Sequence, residues 1–527
     1  MIGNATKWAA SSAMSGWRLL LPLGALYLAV RLPVLLLHEL HNDEVIFMQF
    51  SQLMRQNWRD YWWLSVDGRA HGQYLAPLQY WIGALALRLF SDPIRLRAVS
   101  LLFGTVGFLS MVHLAEKIAG RRGALATGML ILVAPYFAMF DALYIGEVFA
   151  YALGAVFLLF AYLTLEQWWA GRFDPVRFAA AALAGGLALL AKESAAVFLV
   201  AGLPLAAISL AVRGGRVRDH LPRFVAALGV MAAAALLAVV IARLSIPAQF
   251  AAVRTNDLRY QMTGLSLEEV LRFPVALWLH NLRFQFETLR VGFNILPLLV
   301  PAAVWVWAVI RGKAGNSRAI AGWTLLMWLA STLPMILLLK TTYVRHHGLT
   351  LYLLCLLLGW LLSEVWNLGG WSRAFAGVAV LVAVFSTLGN FYRPLLQVGY
   401  TEIAAAETPK DWASGLGIFR MLEALEKLPP GVLLLDPQWG YPRTAAEVFR
   451  ARYPQLELAK INPAALERIR QGKALSFLFE TRGDARQWAK DLMNSRQLCK
   501  ERIIFSRSWR GRELNSSQRV LCIAAPD

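Results

Sequence analysis

Residues 19–37 read LLLPLGALYLAVRLPVLLL, and residues 38–44 then read HELHNDE. The first stretch is almost wholly apolar and has the length that a helix needs to cross a bilayer. The second stretch is a sudden cluster of titratable side chains that ends in two adjacent carboxylates, Asp43 and Glu44. Carboxylates at the mouth of a membrane bundle are costly to place and are often functional. This junction therefore predicts a membrane protein with a site at the end of its first span.

The composition of the whole chain favours the same class. The chain has 527 residues, of which 58% are hydrophobic and 16% are charged, which is too apolar for a soluble protein of this size. Much of the formal charge of +19 lies in short loops between apolar runs, where it orients the chain, and this distribution argues against a nucleic-acid partner. No small-residue cleavage site follows the first apolar run, so we expect a retained anchor.

Long apolar runs recur and predict a polytopic α-helical protein with about 11–13 transmembrane helices. Short basic connectors such as Arg121-Arg122 and Arg373 are expected in the cytoplasm. Residues 77–90 predict an interfacial helix, because a crossing there would break the alternation of the connectors. The outward connectors are then 38–97, 141–147, the turn at Lys192-Glu193, 244–290, 340–348 and everything after about 391. The apolar runs are 19–37, 98–118, 123–140, 148–166, 177–191, 194–212, 222–243, 291–310, 319–339, 349–366 and 374–391.

The last part of the chain, residues 392–527, differs in composition from the membrane part, residues 1–391. Strand-like runs such as Val432–Leu435 alternate with polar, helix-like stretches, and this pattern predicts a small α/β domain. An odd number of crossings would place the domain in the periplasm, where Cys499 and Cys522 could form a disulfide. Two unpaired buried thiols are the alternative.

The first outer loop carries a specific order of motifs. Asp43-Glu44 precedes the tryptophan-rich segment Asn57–Trp63, and the segment Tyr74–Trp81 follows. This order resembles the membrane-embedded glycosyltransferases of GT-C fold that use polyprenyl-phosphate sugars, especially the branch of protein mannosyltransferases and lipid A aminoarabinose transferases. The resemblance covers roughly residues 15–390, because Ala191–Glu193 looks like the family's Leu-Thr-Lys-Gly turn and Tyr343–His347 looks like its Arg-Tyr-x-x-Pro element.

The resemblance implies an inverting glycosyltransferase of the bacterial inner membrane that works on the periplasmic face. Such an enzyme moves a sugar from undecaprenyl phosphate to an acceptor such as lipid A, a protein or another envelope glycan. Its partners would be the donor lipid, the membrane lipids and the periplasmic acceptor. No cofactor is required, since the donor carries its own activated leaving group.

The reaction needs a base near the acceptor and compensation for the charge of the departing phosphate. Asp43 is the first candidate for the base, and the other carboxylate candidates are Glu44, Glu147 and Asp141. A helix cap or an ion pair with a nearby arginine is the structural alternative for Asp43, and Glu147 would also suit the dipole at the first turn of a helix. A divalent metal ion shared by Asp43 and Glu147 is a further option that two carboxylates alone do not establish.

The family's lysine in Lys-Pro-Pro-Leu, which the resemblance associates with the lipid phosphate, is replaced here by Leu75. Arg345 is the natural bidentate partner of a phosphate, and Lys192 is the second choice unless Glu193 simply pairs with it. The structural alternative for Arg345 is a residue that snorkels to the membrane interface. The remaining phosphate candidates are Arg69, His71, His346 and His347, and solvated loop histidines are the alternative for the last two. The candidates for an acceptor loop within 244–290 are Arg254, Arg259 and Tyr260.

Two rival functions come from other classes. A transporter or flippase of a lipid-linked sugar predicts charges buried in mid-span and broken helices in matching halves, whereas the charges here concentrate in outer loops and no repeat is visible. A non-catalytic subunit of envelope-polysaccharide assembly would use the first outer loop as a binding surface.

Overall fold

The computed structural model describes residues 2–58, 65–66, 69–70, 78–192, 197–212, 267–293, 317–339, 344–398, 418–435, 441–460, 476–481, 501–504, 508–509, 512–513 and 518–523, with a few isolated positions. Contacts divide the chain into two compact units. The first comprises Met1–Leu35, Trp62–Gln79 and Ser100–Arg393, and the second comprises Leu36–Tyr61, Tyr80–Val99 and Pro394–Asp527. The predicted domain boundary at residue 391 stays a prediction.

Helices dominate the described part of the chain. They are α1 (Ile2–Leu37), α2 (Asn42–Gln56), α3 (Leu78–Leu89), α4 (Leu96–Val133), α5 (Pro135–Phe140), α6 (Gly146–Trp169), α7 (Pro175–Ala191), α8 (Val197–Val212), α9 (Leu267–Leu271), α10 (Val275–Phe293), α11 (Ser317–Leu337), α12 (Gly348–Asn367), α13 (Trp371–Thr387), α14 (Arg393–Val398), α15 (Ile418–Glu426) and α16 (Tyr441–Val448). A short 3₁₀ turn, Val344–His347, leads directly into α12.

The polytopic membrane architecture is confirmed. Six helices within the described ranges are long and apolar enough to cross a membrane, and α7 and most of α8 are shorter apolar helices. The break predicted between the runs 98–118 and 123–140 lies at Gly120, whose φ of 70° is readily adopted by glycine. A helix, α3, is present within residues 77–90 as predicted, and its place at the membrane interface stays a prediction. The predicted span 222–243 and most of the predicted span 291–310 lie outside the described residues.

Two helices form the centre of the first unit. In the most apolar stretch of α6, 83% of the residues are buried, and in the most apolar stretch of the span that contains α12, 94% are buried. The corresponding fraction for the span that contains α13 is only 28%. Helix α6 packs against α7, α8 and α12, and α11 packs against α8 and α12. Small residues allow the central helices to approach closely: a Cβ at Gly359 of α12 would lie 2.7 Å from the backbone nitrogen of Thr127 in α4.

The second unit contains a five-stranded mixed sheet, as the strand-like runs predicted. Its strands are β3 (Gly431–Leu435), β4 (Leu456–Lys460), β5 (Ser476–Thr481), β6 (Glu501–Ile504) and β9 (Gln518–Ile523), in the order β4-β3-β5-β9-β6. Strand β3 runs parallel to β4 and β5, and β9 runs antiparallel to β5 and β6. The other strands form two-residue ladders: β1 (Ser65–Val66), β2 (Arg69–Ala70), β7 (Ser508–Trp509) and β8 (Arg512–Glu513). Cys499 lies outside the described residues, so the disulfide stays a prediction.

The titratable cluster after α1 folds into the start of α2 within the second unit. His41 is the N-cap, with its Nδ1 accepting a hydrogen bond from the Asp43 amide, and the Glu44 carboxylate accepts one from the His41 amide. This reciprocal arrangement is a capping box, which satisfies amide groups that the first helical turn leaves without partners. Acidic residues here also suit the positive end of the helix dipole.

A buried ion pair joins Glu44 to Arg97. The Arg97 guanidinium donates to both carboxylate oxygens, from Nε to Oε1 at 2.7 Å and from Nη2 to Oε2 at 2.8 Å. It also donates to the carbonyl oxygens of His38 and Glu39 at 2.9 and 3.0 Å. The Glu44 and Arg97 side chains are 0% and 1% exposed, so each charge depends on the other for compensation.

His38 is buried beside the same arginine. Its Nδ1 donates to the Glu39 carbonyl oxygen at 2.7 Å, and its Nε2 has no hydrogen-bond partner among the described residues. Burial and the neighbouring Arg97 charge lower the pKa of His38 from 6.5 to about 4. The imidazole is therefore neutral in the folded protein near neutral pH.

We expect Arg97→Met to lower the free energy of unfolding by about 3–5 kcal/mol, because it leaves the Glu44 carboxylate buried without its partner. Glu44→Leu alone should lower the free energy of unfolding by a similar amount, because it leaves the Arg97 guanidinium buried without its carboxylate partner. The double variant should lose clearly less than the sum of the two, as measured by thermal unfolding in detergent. Additive losses would show that the two charges do not depend on each other.

The stability of the second unit should fall as the pH is lowered through the range from about 6.5 to 4. The unfolded chain protonates His38 near pH 6.5, whereas the folded chain resists protonation until about pH 4, so acid favours the unfolded state by about 3 kcal/mol at the lower end. His38→Asn keeps a donor for the Glu39 carbonyl and does not titrate. Unfolding curves across this range should be less pH-dependent for the variant, and equal slopes would contradict the assignment.

Candidate functional site

Glu147 lies in the first turn of α6, and its side chain is only 2% exposed. One carboxylate oxygen, Oε1, lies 3.2 Å from Lys192 Nζ, 3.2 Å from Arg345 Nε and 3.6 Å from His346 Nε2. The other oxygen, Oε2, is buried and has no hydrogen-bond partner in the part of the chain that the structure describes. We call these four residues the Glu147 cluster. Three residues that the sequence singled out as phosphate candidates thus meet at one carboxylate.

The ends of three helices bring this cluster together. Glu147 follows the extended N-cap Ile145, and Lys192 is the extended residue that ends α7. Arg345 and His346 belong to the 3₁₀ turn that leads into α12. Long apolar helices carry their polar groups at their ends, because a charge in the middle of a span is costly. The cluster is therefore positioned by the packing of α7 and α12 against α6.

Helix α10 fixes the 3₁₀ turn from another side. Gln285 Nε2 donates to His347 Nδ1 at 3.0 Å, and Asn281 Nδ2 donates to the carbonyl oxygens of Ile336 and Leu339 at 2.9 and 2.8 Å. Asn281, Gln285 and Thr288 are 0%, 6% and 1% exposed. None of these three residues was predicted from the sequence. Their spacing of four and three residues places polar groups on one helix face, and that periodic signal could have found them.

Contacts from α10 and α5 hold the 3₁₀ turn at His347 and Arg345. His347 is fully buried and contacts Gln285. The Tyr136 hydroxyl donates to the Arg345 carbonyl oxygen at 2.5 Å, so α5 also contacts the turn. This arrangement suits a structural role for His347 and leaves Arg345 and His346 as the residues of the turn that meet Glu147.

Asp141, the alternative to Glu147, lies in a separate buried network. Its carboxylate accepts hydrogen bonds from the hydroxyls of Tyr27 and Tyr151 and from Arg31 Nε, the last at 3.3 Å. Arg31 also donates to the carbonyl oxygens of Leu132 and Ile131, each at 3.0 Å. The side chains of Arg31 and Asp141 are both 0% exposed. We therefore infer that Asp141 compensates the buried arginine and anchors α1.

Arg31 was not singled out from the sequence, although an arginine inside an apolar run is itself a signal. Arg97, the partner of Glu44, was missed in the same way at the start of the second run. Both arginines reach a carboxylate and two main-chain carbonyl oxygens. Because both oxygens of Glu44 are engaged by Arg97, its geometry suits a structural role.

Some of the remaining candidate site residues lie within the residues that the structure describes, and others lie outside them. Asp43 lies in the first turn of α2 and is partly exposed, and its role as base stays a prediction. Arg69 belongs to β2, of which the structure describes the backbone. The candidates outside the described residues, together with Leu75, are His71, Arg254, Arg259 and Tyr260.

The surroundings of Glu147 do not fit a divalent metal ion. Two cationic side chains, Arg345 and Lys192, already contact Oε1 of Glu147, and they would repel a divalent ion at this carboxylate. The described residues contain no group of three or more His, Cys, Asp or Glu side chains placed to hold a metal ion. The donor set instead suits an anion, because Arg and Lys are the side chains that bind phosphate.

Comparisons with known proteins point to one fold. Residues 75–242 match the sequence model of the family described as dolichyl-phosphate-mannose-protein mannosyltransferase. No curated protein matches the chain. The crystal structure of apo ArnT from Cupriavidus metallidurans covers 98% of this chain and 100% of its own, with a TM-score of 0.54 and 16% identity. The structure of the same protein bound to undecaprenyl phosphate covers 97% and 100%, with a TM-score of 0.51 and 16% identity.

At this level of identity the two crystal structures establish the fold, and the matched family supports the class that the order of motifs predicted. The chain is a polytopic membrane protein of the GT-C glycosyltransferase fold.

Proposed function

We propose that the protein is an inverting glycosyltransferase that moves one sugar from undecaprenyl phosphate to an acceptor at the periplasmic face of the bacterial inner membrane. The observation that carries this proposal is the Glu147 cluster, in which Lys192 and Arg345 surround one carboxylate oxygen at 3.2 Å each. The match of residues 75–242 to a lipid-phosphate mannosyltransferase family and the undecaprenyl phosphate bound by ArnT support this type of donor.

The cluster has the charge that a phosphate leaving group requires. Within the Glu147 cluster, Lys192 and Arg345 bring two cationic groups to the single carboxylate of Glu147. Arg345 can present its guanidinium edge to two phosphate oxygens, and Lys192 supplies a point charge. Cationic groups of this kind take over the role of the family lysine that Leu75 replaces.

The reaction itself is a single displacement. A hydroxyl or amine of the acceptor attacks the anomeric carbon, the bond between that carbon and the phosphate oxygen breaks, and the polyprenyl phosphate leaves with the electron pair. A base takes the proton of the attacking group. Attack from the face opposite the leaving group inverts the configuration at the anomeric carbon.

We assign different roles to the two carboxylates. Glu147 holds the cations in place through Oε1, and its buried Oε2 can accept a hydrogen bond from a sugar or acceptor hydroxyl. Asp43, which is partly exposed, is our candidate for the base. Its neighbour Glu44 is bound on both oxygens by Arg97, so within the pair Asp43 is the better choice.

We expect Arg345→Ala to weaken binding of undecaprenyl phosphate about tenfold or more, because it removes a charge-assisted contact to the lipid phosphate. Arg345→Lys should recover part of the affinity by keeping the charge. Arg177→Ala is the matched control, since Arg177 also forms an ion pair, with Asp174 at 3.0 Å, but in a different connector. Affinities would be measured on protein in nanodiscs, and wild-type binding by Arg345→Ala would contradict the proposed phosphate site.

Transfer of the sugar tests the enzymatic function directly. Asp43→Asn should lower the rate from a labelled undecaprenyl-phosphate sugar by about 10²–10⁴-fold, which is the usual contribution of a general base. Asp174→Asn is the matched control, because Asp174 caps α7 and asparagine caps helices equally well.

The acceptor for this assay would be identified by mass analysis of the lipids and protein glycans of cells with and without the protein. Unchanged transfer by Asp43→Asn would exclude it as the base. Movement of the donor lipid across the bilayer of proteoliposomes without any sugar transfer would instead favour a flippase function.

A further inference from the structure

An apolar groove opens in the first unit between the second half of α4, the end of α12 and the start of α13. Its volume is about 500 Å³, which is within the range of pockets that bind small ligands. Apolar side chains form its walls, among them Leu125, Met129, Leu362 and Leu381. The groove has no part in the Glu147 cluster, so it calls for a separate explanation.

Part of the groove is open space beside α13. A Cβ atom added at Gly377 would meet no heavy atom within 4 Å, although Gly377 lines the groove. Leu125 and Leu381 are 47% and 56% exposed. In a membrane protein, exposed apolar walls of this kind face the acyl chains of lipids, which are as apolar as the side chains themselves.

One end of the groove carries positive charge. Arg122 lines the groove and donates from Nη1 to Asn367 Oδ1 at 2.6 Å. Arg373 donates from Nε to the carbonyl oxygen of Trp366 at 3.2 Å. Trp366 and Asn367 are consecutive residues, so both guanidinium groups lie at the C-terminal end of α12. Each of these hydrogen bonds uses one of the five N–H donors of a guanidinium.

The charge balance at this end is positive. Arg121 adjoins Arg122, and Glu364 is the acidic residue in the last turn of α12, so with Arg373 these segments contain three arginines and one carboxylate. Trp366 and Trp371 are 41% and 83% exposed, and exposed tryptophans are typical of the level of lipid headgroups. The short connectors that hold these arginines are the ones that the positive-inside rule predicts on the cytoplasmic side.

We propose that this groove binds an anionic glycerophospholipid, with its phosphate at Arg122 and Arg373 and an acyl chain along Gly377 and Leu381. Charge complementarity selects this occupant, because basic pockets between helices on the cytoplasmic side bind anionic headgroups. A neutral phospholipid would fill the apolar part equally well but would leave the arginines without an anionic partner. The site is independent of the proposed transfer reaction.

Native mass spectrometry of the purified full-length protein tests the site. Delipidated protein would be exposed to phosphatidylglycerol or phosphatidylcholine with identical chains, and the retained lipid would be counted. Wild type should retain phosphatidylglycerol about tenfold better than phosphatidylcholine. Arg122→Gln with Arg373→Gln should abolish this preference while leaving the retention of phosphatidylcholine unchanged.

Gly377→Leu tests the apolar part, because Gly377 lines the groove and a Cβ atom there would meet no heavy atom within 4 Å. It should lower the retention of both lipids. Gly322→Leu in α11 is the matched control, since a Cβ there also meets nothing within 4 Å, and it should behave as wild type. Thermal unfolding would verify that both leucine variants fold.

Four results would overturn the proposal. The first is equal retention of the two phospholipids by wild type. The second is a preference that survives in the double arginine variant. The third is retention by Gly377→Leu that equals that of wild type. The fourth is displacement of phosphatidylglycerol by undecaprenyl phosphate in wild type but not in Gly377→Leu, which would make the polyprenyl chain the occupant.

Discussion

The compensation of Glu147 is the constraint on which the centre of the first unit depends. A carboxylate that is only 2% exposed costs several kcal/mol to bury unless cations and hydrogen-bond donors accompany it. Its partners come from the end of α7 and from the turn before α12, so three helix ends have to meet at one point. The packing of α7 and α12 against α6 satisfies this electrostatic requirement together with the burial of apolar surface.

The charges of two buried arginines are compensated in a similar way. Arg31 and Arg97 each bind a carboxylate and two main-chain carbonyl oxygens. Each arginine thereby fixes the end of a helix to a neighbouring connector. The carboxylates that they bind, Asp141 and Glu44, have both oxygens engaged. Glu147 differs from them, because its Oε2 lacks a donor within the described ranges, and this difference separates the candidate for ligand contact from the two structural carboxylates.

The basic residues of the first unit also fall into two kinds. Arg345 and Lys192 share a carboxylate, which holds them in place at a buried site and lowers their net charge. Arg122 and Arg373 contact an amide oxygen and a main-chain carbonyl oxygen, so their charges are not neutralised by these contacts. The first kind suits one specific phosphate between helix ends, whereas the second kind suits the headgroup of a lipid that lies along an apolar groove. We therefore propose different anionic ligands for the two pairs of basic residues, because their neighbours differ.

The sequence by itself determined the membrane class, most helix positions and the α/β character of the second unit, and these properties follow from run length and periodicity, which are local along the chain. The resemblance of its motifs to a known family implied the GT-C fold. The sequence also limited the candidates for phosphate-binding residues to a small set that includes Lys192, Arg345 and His346. It placed Glu147 ahead of Asp141 as a site residue but could not identify the partners of either carboxylate, and it passed over Arg31 and Arg97 within otherwise apolar stretches.

Only the tertiary structure decided which charge meets which partner. Glu147 and Arg345 are 198 residues apart, Arg31 and Asp141 are 110 apart, and Glu44 and Arg97 are 53 apart. Whether a charged group is compensated depends on the contacts that form when distant helix ends pack together. Local patterns carry no information about such contacts. The titratable residues of the site could therefore be recognised in the sequence, but their partners could be identified only in the tertiary structure.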